Sequence, residues 1–453
     1  MQIFNVWYII VPAKTFRIRQ NTQCNKEVND KMTNSIFNTF TEILKSELVP
    51  ALGCTEPIAI AFAAAKACEI LGALPERIIA SCSGNIIKNV KSVIVPSTDG
   101  MKGISVSAII GAVGGNASLG LEVLTQVTQE QIEQAKRLEA QHICEVRLLE
   151  NVPNLDIIIE AFSGPNHVLV ELRNAHTNIY RIEKNGASIF QANCPEEGSV
   201  HTYDSAALTL ENIKYYAENV DLAEITPTLR QQLSCNLAIA QEGIAHTYGA
   251  NVGKTILDHF GNHWEELACG YAAAGSDARM SGCCLPVVIN SGSGNQGITA
   301  SVPVYIYAKN ICASDEQLYR ALAFSNLIAI YQKQQLGKLS AYCGAVSAAT
   351  GAGAAITFLS GGSIQQISDT ITNTIANISG IVCDGAKSSC AAKIATSLHA
   401  AITAHYMAMD NQVFQPGEGL VRETLAETVS AYTTMGRVGM KDTDIAILNM
   451  MIS

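Results

Sequence analysis

The chain has 453 residues, with 30 Lys plus Arg against 40 Asp plus Glu, a formal charge of −10. Apolar types make up 48% and charged types 15%, which suits a large core, rules out a disordered chain and allows roughly two to four domains. The acidic balance, with no block of Lys or Arg, argues against nucleic acid and anionic membrane as partners and leaves small molecules.

Fourteen Cys at irregular spacing do not make a disulfide scaffold, so a reducing, cytoplasmic setting is expected. The apolar run Ile3 to Pro12 lacks a basic segment before it, and Lys14, Arg17 and Arg19 follow, the reverse of a secretory signal. Residues 1–31 read as an N-terminal extension, with the ordered protein expected to begin near Met32.

From Asn34 to Leu48, Ile36, Phe37, Phe40, Ile43 and Leu44 recur at helical spacing. Gly53-Cys54-Thr55-Glu56-Pro57 interrupts; Thr55 is the expected N-cap of an Ala-rich helix, Ile58 to Leu71, with Cys54 just outside its N-terminus. The positive end of a helix lowers a thiol's pKa, so a partly ionised Cys54 is expected. Between Pro75 and Tyr203, strands are predicted at Ile78 to Ser83, Ile143 to Leu149, Asp156 to Phe162, His167 to Leu172 and Thr177 to Glu183, with one helix, Gln129 to Gln141.

Helices then return at Glu211 to Tyr216, Thr228 to His246, Ile256 to Ala274, Asp315 to Gln334, Leu420 to Thr433 and Asp442 to Met450. The uncharged stretch Leu339 to Gly362 is mostly Ala, Gly, Ser and Thr, which reads as a buried, closely packed element and not a membrane span. The expected fold is α+β: a mainly helical catalytic domain, 32–74 with 204–453, and an inserted α+β subdomain, 75–203. Small-residue helices in a chain of this size are compatible with a homo-oligomer.

Four Gly/Cys-rich stretches carry candidate chemistry: the Cys54 motif, Ser281 to Gly297, Tyr342-Cys343-Gly344-Ala345, and Val382-Cys383 to Cys390. Cys383 and Cys390 form C-x6-C with Cys343 upstream, which does not match zinc spacing. Three thiolates from separate segments suit three irons of a 4Fe–4S cluster, the fourth iron staying open as a Lewis acid; on spacing alone, ordinary buried cysteines are the stronger reading. Ser291-Gly292-Ser293-Gly294-Asn295 offers either a backbone nest for a carboxylate or a sharp turn between helices. Asn85 and Lys88, after a predicted strand, offer donors to a substrate carboxylate, although a solvated lysine is the simpler reading. His246, His259, His263, His399 and His405 read as structural, and neither a Walker A loop nor a Gly-x-Ser-x-Gly elbow is present.

In combination, Gly53-Cys54-Thr55-Glu56-Pro57, the run from Cys283-Cys284-Leu285-Pro286 to Gly297, Cys343, and Cys383 to Cys390 resemble the L-cysteine desulfidase family, related to the alpha chain of iron-sulfur L-serine dehydratases. The resemblance spans about Asn34 to the C-terminus. It implies a 4Fe–4S lyase with Cys343, Cys383 and Cys390 as cluster ligands, Cys54 as catalytic base, and Cys283 and Cys284 outside the ligand set. The implied reaction is β-elimination of L-cysteine to hydrogen sulfide, ammonia and pyruvate, with Ser291 to Asn295, Asn85 and Lys88 orienting the amino acid. L-Serine dehydration is the nearest rival, because the leaving group is not readable from sequence. A non-catalytic metal- or amino-acid-binding protein is the rival of another class, and the intact Cys54 argues against it.

Overall fold

The computed structural model describes residues 35–192, 207–337 and 339–452. The N-terminal extension and the expected start near Met32 lie outside the described residues. Helix α1, residues 35–47, leads into a three-residue strand β1, Pro50–Leu52. Helix α2, Thr55–Leu71, follows at once and is buried on almost every side, as its Ala content permits. Then come β2 (Arg77–Ser83), α3 (Gly84–Val90), α4 (Ile104–Gly114) and α5 (Gln129–Ala140), the last entered through a Thr128/Gln131 capping box.

Strands β3 (Cys144–Leu149), β4 (Asp156–Ser163), β5 (Asn166–Arg173), β6 (Ile179–Lys184) and β7 (Ala187–Gln191) join β2 in a six-stranded sheet of order β3-β2-β4-β5-β6-β7. The sheet is mixed: β2 runs parallel to β3 and antiparallel to β4. Its apolar face packs on α2, and Ile78, Ile157, Ile159 and Leu172 belong to the same continuous core as the helices around them.

The remainder is helical: α6 (Leu210–Asn219), α7 (Leu222–Ala245), α8 (Val252–Phe260) and α9 (Trp264–Met280), then strand β8 (Pro286–Val288). After it come α10 (Gly294–Asn310), α11 (Asp315–Leu336), α12 (Ala345–Leu359), α13 (Ile364–Asn377), α14 (Cys390–Met409), α15 (Leu425–Thr434) and α16 (Lys441–Ile452). The fold is α+β and mainly helical, as the sequence pattern predicts. The Leu339 to Gly362 stretch contains α12, buried along nearly its whole length, and no described helix is long and apolar enough to cross a membrane.

Three expectations change. The helix expected to start at Thr228 begins at Leu222, because the Asp221 side chain caps Ala223 N–H and the helix runs on through Pro227. The helix expected over Ile256 to Ala274 is two helices, broken at Gly261 with φ 101°. Thr55 is not the N-cap of α2; Cys54 holds that position, and no side chain caps the helix there.

Candidate active site

Short backbone contacts between distant segments assemble the site. Strands β1 and β8 pair antiparallel, Pro50 opposite Val288 and Leu52 opposite Pro286, which sets the Cys54 motif beside the Ser291 turn. Thr55 Oγ1 then donates to the Gly292 carbonyl across 2.9 Å. A second bridge, Tyr342 with Val382, brings two cysteine segments together: Cys343 N–H donates to Ile381 O and Cys383 N–H to Ala341 O, both at 2.7 Å. Cys390 opens α14, one short turn after Cys383.

These segments enclose a cavity of about 90 Å³, several times the ~10–15 Å³ that one water needs. Cys54, Cys343, Cys383 and Cys390 all line it. So do Ser293 and Asn295 from the predicted nest, whereas Ser291, Gly292 and Gly294 form the turn and helix start behind them. Cys283 and Cys284 are not in the lining. Neither are Asn85 and Lys88: Lys88 is buried, not solvated, and its carboxylate partner is Asp444 of α16, Nζ to Oδ1 2.5 Å, while Asn85 donates to the other oxygen of Asp444 at 2.9 Å. The lining also includes Glu56 and Gln296, which sequence reasoning quoted only as members of their motifs, and Asn89, Arg279 and Lys333, to which it gave no role.

Four helices, α2, α10, α12 and α14, begin at this cavity, and none of the four is capped by a side chain. Their unshared N–H groups and aligned peptide dipoles make the cavity attractive to negative charge. Side chains cap α5, α6, α7, α11, α13 and α15, whereas α3, α4, α8 and α9, like the four cavity helices, have no side-chain cap.

The expected ionisation of Cys54 is corrected here. Burial pushes the thiol well above its ordinary range and the Glu56 charge adds to that, outweighing Arg279, which acts the other way. Cys54 is therefore a neutral thiol that donates to Glu56 Oε2 at 3.0 Å. Burial raises Glu56 too, but the charge of His176, the Cys54 hydrogen bond and Arg279 together hold it below the usual range, so it is the ionised partner. His176 lies between β5 and β6, which gives the sheet a hand in the site's electrostatics. Cys343 is pushed up to about 12, by burial and then by the nearness of Cys383 and Cys390. Asp384 sits between Lys387, at 2.5 Å, and Lys393. Burial works against its ionisation, but the two ammonium groups win and bring it to about 2.

A family model described as "Serine dehydratase alpha chain" matches residues 118–449. The chain belongs to the serine dehydratase alpha-chain family. It is 51% identical over 418 residues to a UPF0597 protein of Lachnoclostridium phytofermentans, covering 92% of this chain and 100% of that one. UPF0597 proteins of Finegoldia magna and Desulfitobacterium hafniense are 47% and 45% identical, each over 92% of this chain and over 100% and 97% of their own length.

Arg279, Asn295, Gln296 and the cysteines Cys343, Cys383 and Cys390 fall within the serine dehydratase alpha-chain match, whereas Cys54, Glu56 and Asn89 precede it. Among the described residues no three His, Cys, Asp or Glu side chains gather tightly enough to hold a single metal ion. A cubane makes a different demand, because each thiolate bonds its own iron and the sulfurs stand further apart. The donor chemistry suits such a cluster: three thiols close enough to feel one another's charge, in a cavity fed by positive helix ends.

Proposed function

We propose that this chain is a 4Fe–4S-dependent lyase that carries out β-elimination on a small amino acid, with L-cysteine as substrate. One observation carries the reading: Cys54 and the three thiols Cys343, Cys383 and Cys390 line one cavity, although they come from three separate segments of the chain. Family membership supports a serine dehydratase-like lyase of amino-acid catabolism, and that family is iron-sulfur dependent.

Elimination requires a base for the weakly acidic Cα proton and an electrophile for the charge that develops on carboxylate and leaving group. Cys343, Cys383 and Cys390 would hold the cluster, which would supply that electrophile as a Lewis acid. The chain supplies the base. Glu56 accepts the thiol hydrogen of Cys54, and the thiolate takes the Cα proton. The pair freed from Cα–H forms the Cα=Cβ bond as Cβ–S breaks, sulfur leaves with its pair as hydrosulfide, and the aminoacrylate hydrolyses to pyruvate and ammonia. Asn89 steadies Glu56, donating to Oε1 at 3.0 Å.

The test is anaerobic purification with iron and acid-labile sulfide analysis, then sulfide and pyruvate assays with L-cysteine and L-serine. Cys383→Ser is expected to abolish the visible chromophore and turnover together, and Cys54→Ala to abolish turnover alone. A colourless, metal-free preparation overturns the reading. The description of the matched family favours L-serine dehydration as the second reading, and pyruvate from L-serine equal to that from L-cysteine would select it.

A further inference from the structure

Arg279 ends α9, 2% exposed, at the edge of the cavity. Its Nε and Nη2 have no hydrogen-bond partner, and among the described residues no carboxylate forms an ion pair with it. A buried guanidinium without an anion is costly. Glu56 is a candidate, since Arg279 acts on its charge, but both Glu56 oxygens already accept hydrogen bonds, Oε1 from Asn89 and Oε2 from Cys54. Glu56 is thus tied to the Cys54 side of the cavity, and the guanidinium fork is left for something else.

The opposite chemistry lies on the same lining. Gln296 Oε1 and Asn295 Oδ1, in the first turn of α10, are buried acceptors without a donor. Two glycines make room for this pair of functions. A Cβ on Gly294 would stand 2.4 Å from Arg279 Nε, and one on Gly344 would stand 2.4 Å from Gln296 Cδ. Neither guanidinium nor amide could keep its position beside any larger residue.

Unmatched donors of one fork and unmatched carbonyl acceptors on the lining of one small cavity are the complement of a zwitterion. We propose that Arg279 anchors the α-carboxylate of the substrate and that Gln296 and Asn295 accept its α-ammonium, which restricts the site to free α-amino acids. Amines, keto acids and peptides, which lack one of the two charges beside Cα, are excluded. The proposal rests on the elimination reading above for its substrate, and it adds what fixes that substrate against Cys54. Arg279 acts on the charge of both Cys54 and Glu56, so a carboxylate seated on it brings the adjoining Cα to the base's side of the cavity. Arg279 is an anchor and takes no proton.

Isothermal titration of the anaerobically purified protein with L-alanine, ethylamine and propionate tests this, since none of the three has a leaving group. L-Alanine is expected to bind about 10- to 100-fold more tightly than either fragment, the range of one or two charge-assisted hydrogen bonds. Arg279→Gln is expected to lose about that factor for L-alanine and nothing for ethylamine; Gln296→Leu is expected to weaken L-alanine and leave propionate unchanged. Ethylamine binding as tightly as L-alanine to the unmodified protein overturns the proposal, whatever the variants do to folding. So does Arg279→Gln with full L-alanine affinity. If the clamp behaves as expected and neither cysteine nor serine yields pyruvate, the clamp stands and the elimination reading falls; pyruvate release with L-alanine affinity indifferent to Arg279 has the reverse meaning.

Discussion

Cys54 points its thiol hydrogen at Glu56, Sγ to Oε2 3.0 Å, within the first turn of one buried helix. The pair shares a proton, and the carboxylate that raises the thiol is also the group able to receive that proton. Glu56→Gln keeps the shape and removes the charge. Turnover is expected to fall about 10²- to 10⁴-fold, the usual worth of a positioned proton acceptor. Because a negative neighbour has gone, alkylation of Cys54 by a small haloacetamide is expected to move to lower pH. A move to higher pH would deny the coupling.

Lys88 and Asp444 make a second test. Lys88 is 1% exposed and Asp444 16%, so removing the carboxylate strands a buried ammonium. Asp444→Ala is expected to destabilise the chain by about 3–5 kcal/mol in chemical denaturation. Lys88→Met combined with Asp444→Leu is expected to recover most of that loss. A mild effect of Asp444→Ala alone would show that the pair carries little.

Stability below pH 4 is expected to depend on Asp384. Its carboxyl is held at about 2 against an unfolded value of about 3.9, so the stabilisation is complete above the unfolded value and is lost as pH falls toward 2. The lost contact ties the Cys383 to Cys390 turn to Lys387 and Lys393. Hydrogen exchange across that turn should accelerate between pH 4 and 2 in the unmodified protein and show no such step in Asp384→Asn.

His405 works in a higher window. Burial lowers it to about 4, and its Nδ1 meets Thr357 Oγ1 at 2.9 Å. A buried neutral imidazole stabilises the fold above its unfolded value of about 6.5, and that contribution is lost as pH falls from there to 4, of the order of 3 kcal/mol. His405→Gln should flatten the fall in Tm across that interval; an unchanged slope would assign the fall to other groups.

Much of this was open to reading in the sequence, for physical reasons that differ by element. The strands at Ile78, Asp156 and His167 are legible as short runs rich in Ile, Val and Leu, because they are buried along most of their length. The sixth strand, Ala187–Gln191, has both faces exposed and thus no alternation, although Asn185-Gly186 before it is a hairpin signal that could have found it. The cysteines of the cavity were legible from their motifs. What joins them was not: β1 with β8 and Tyr342 with Val382 are contacts of a few residues, too short to have a period. Arg279 lies beyond the helix expected to end at Ala274 and was not singled out. The clue was its setting in a run of Ala, Gly and Ser that leaves little room for solvent around a long cation.

The Lys88 and Asp444 pair also orders events in time. The ammonium lies beneath the site, and its counter-charge follows 356 residues later in the chain. A nascent polypeptide therefore carries an uncompensated interior cation until α16 has left the ribosome and docked, however early the cysteine turns have formed. Docking of α16 is then needed before Lys88 can be buried with its charge balanced.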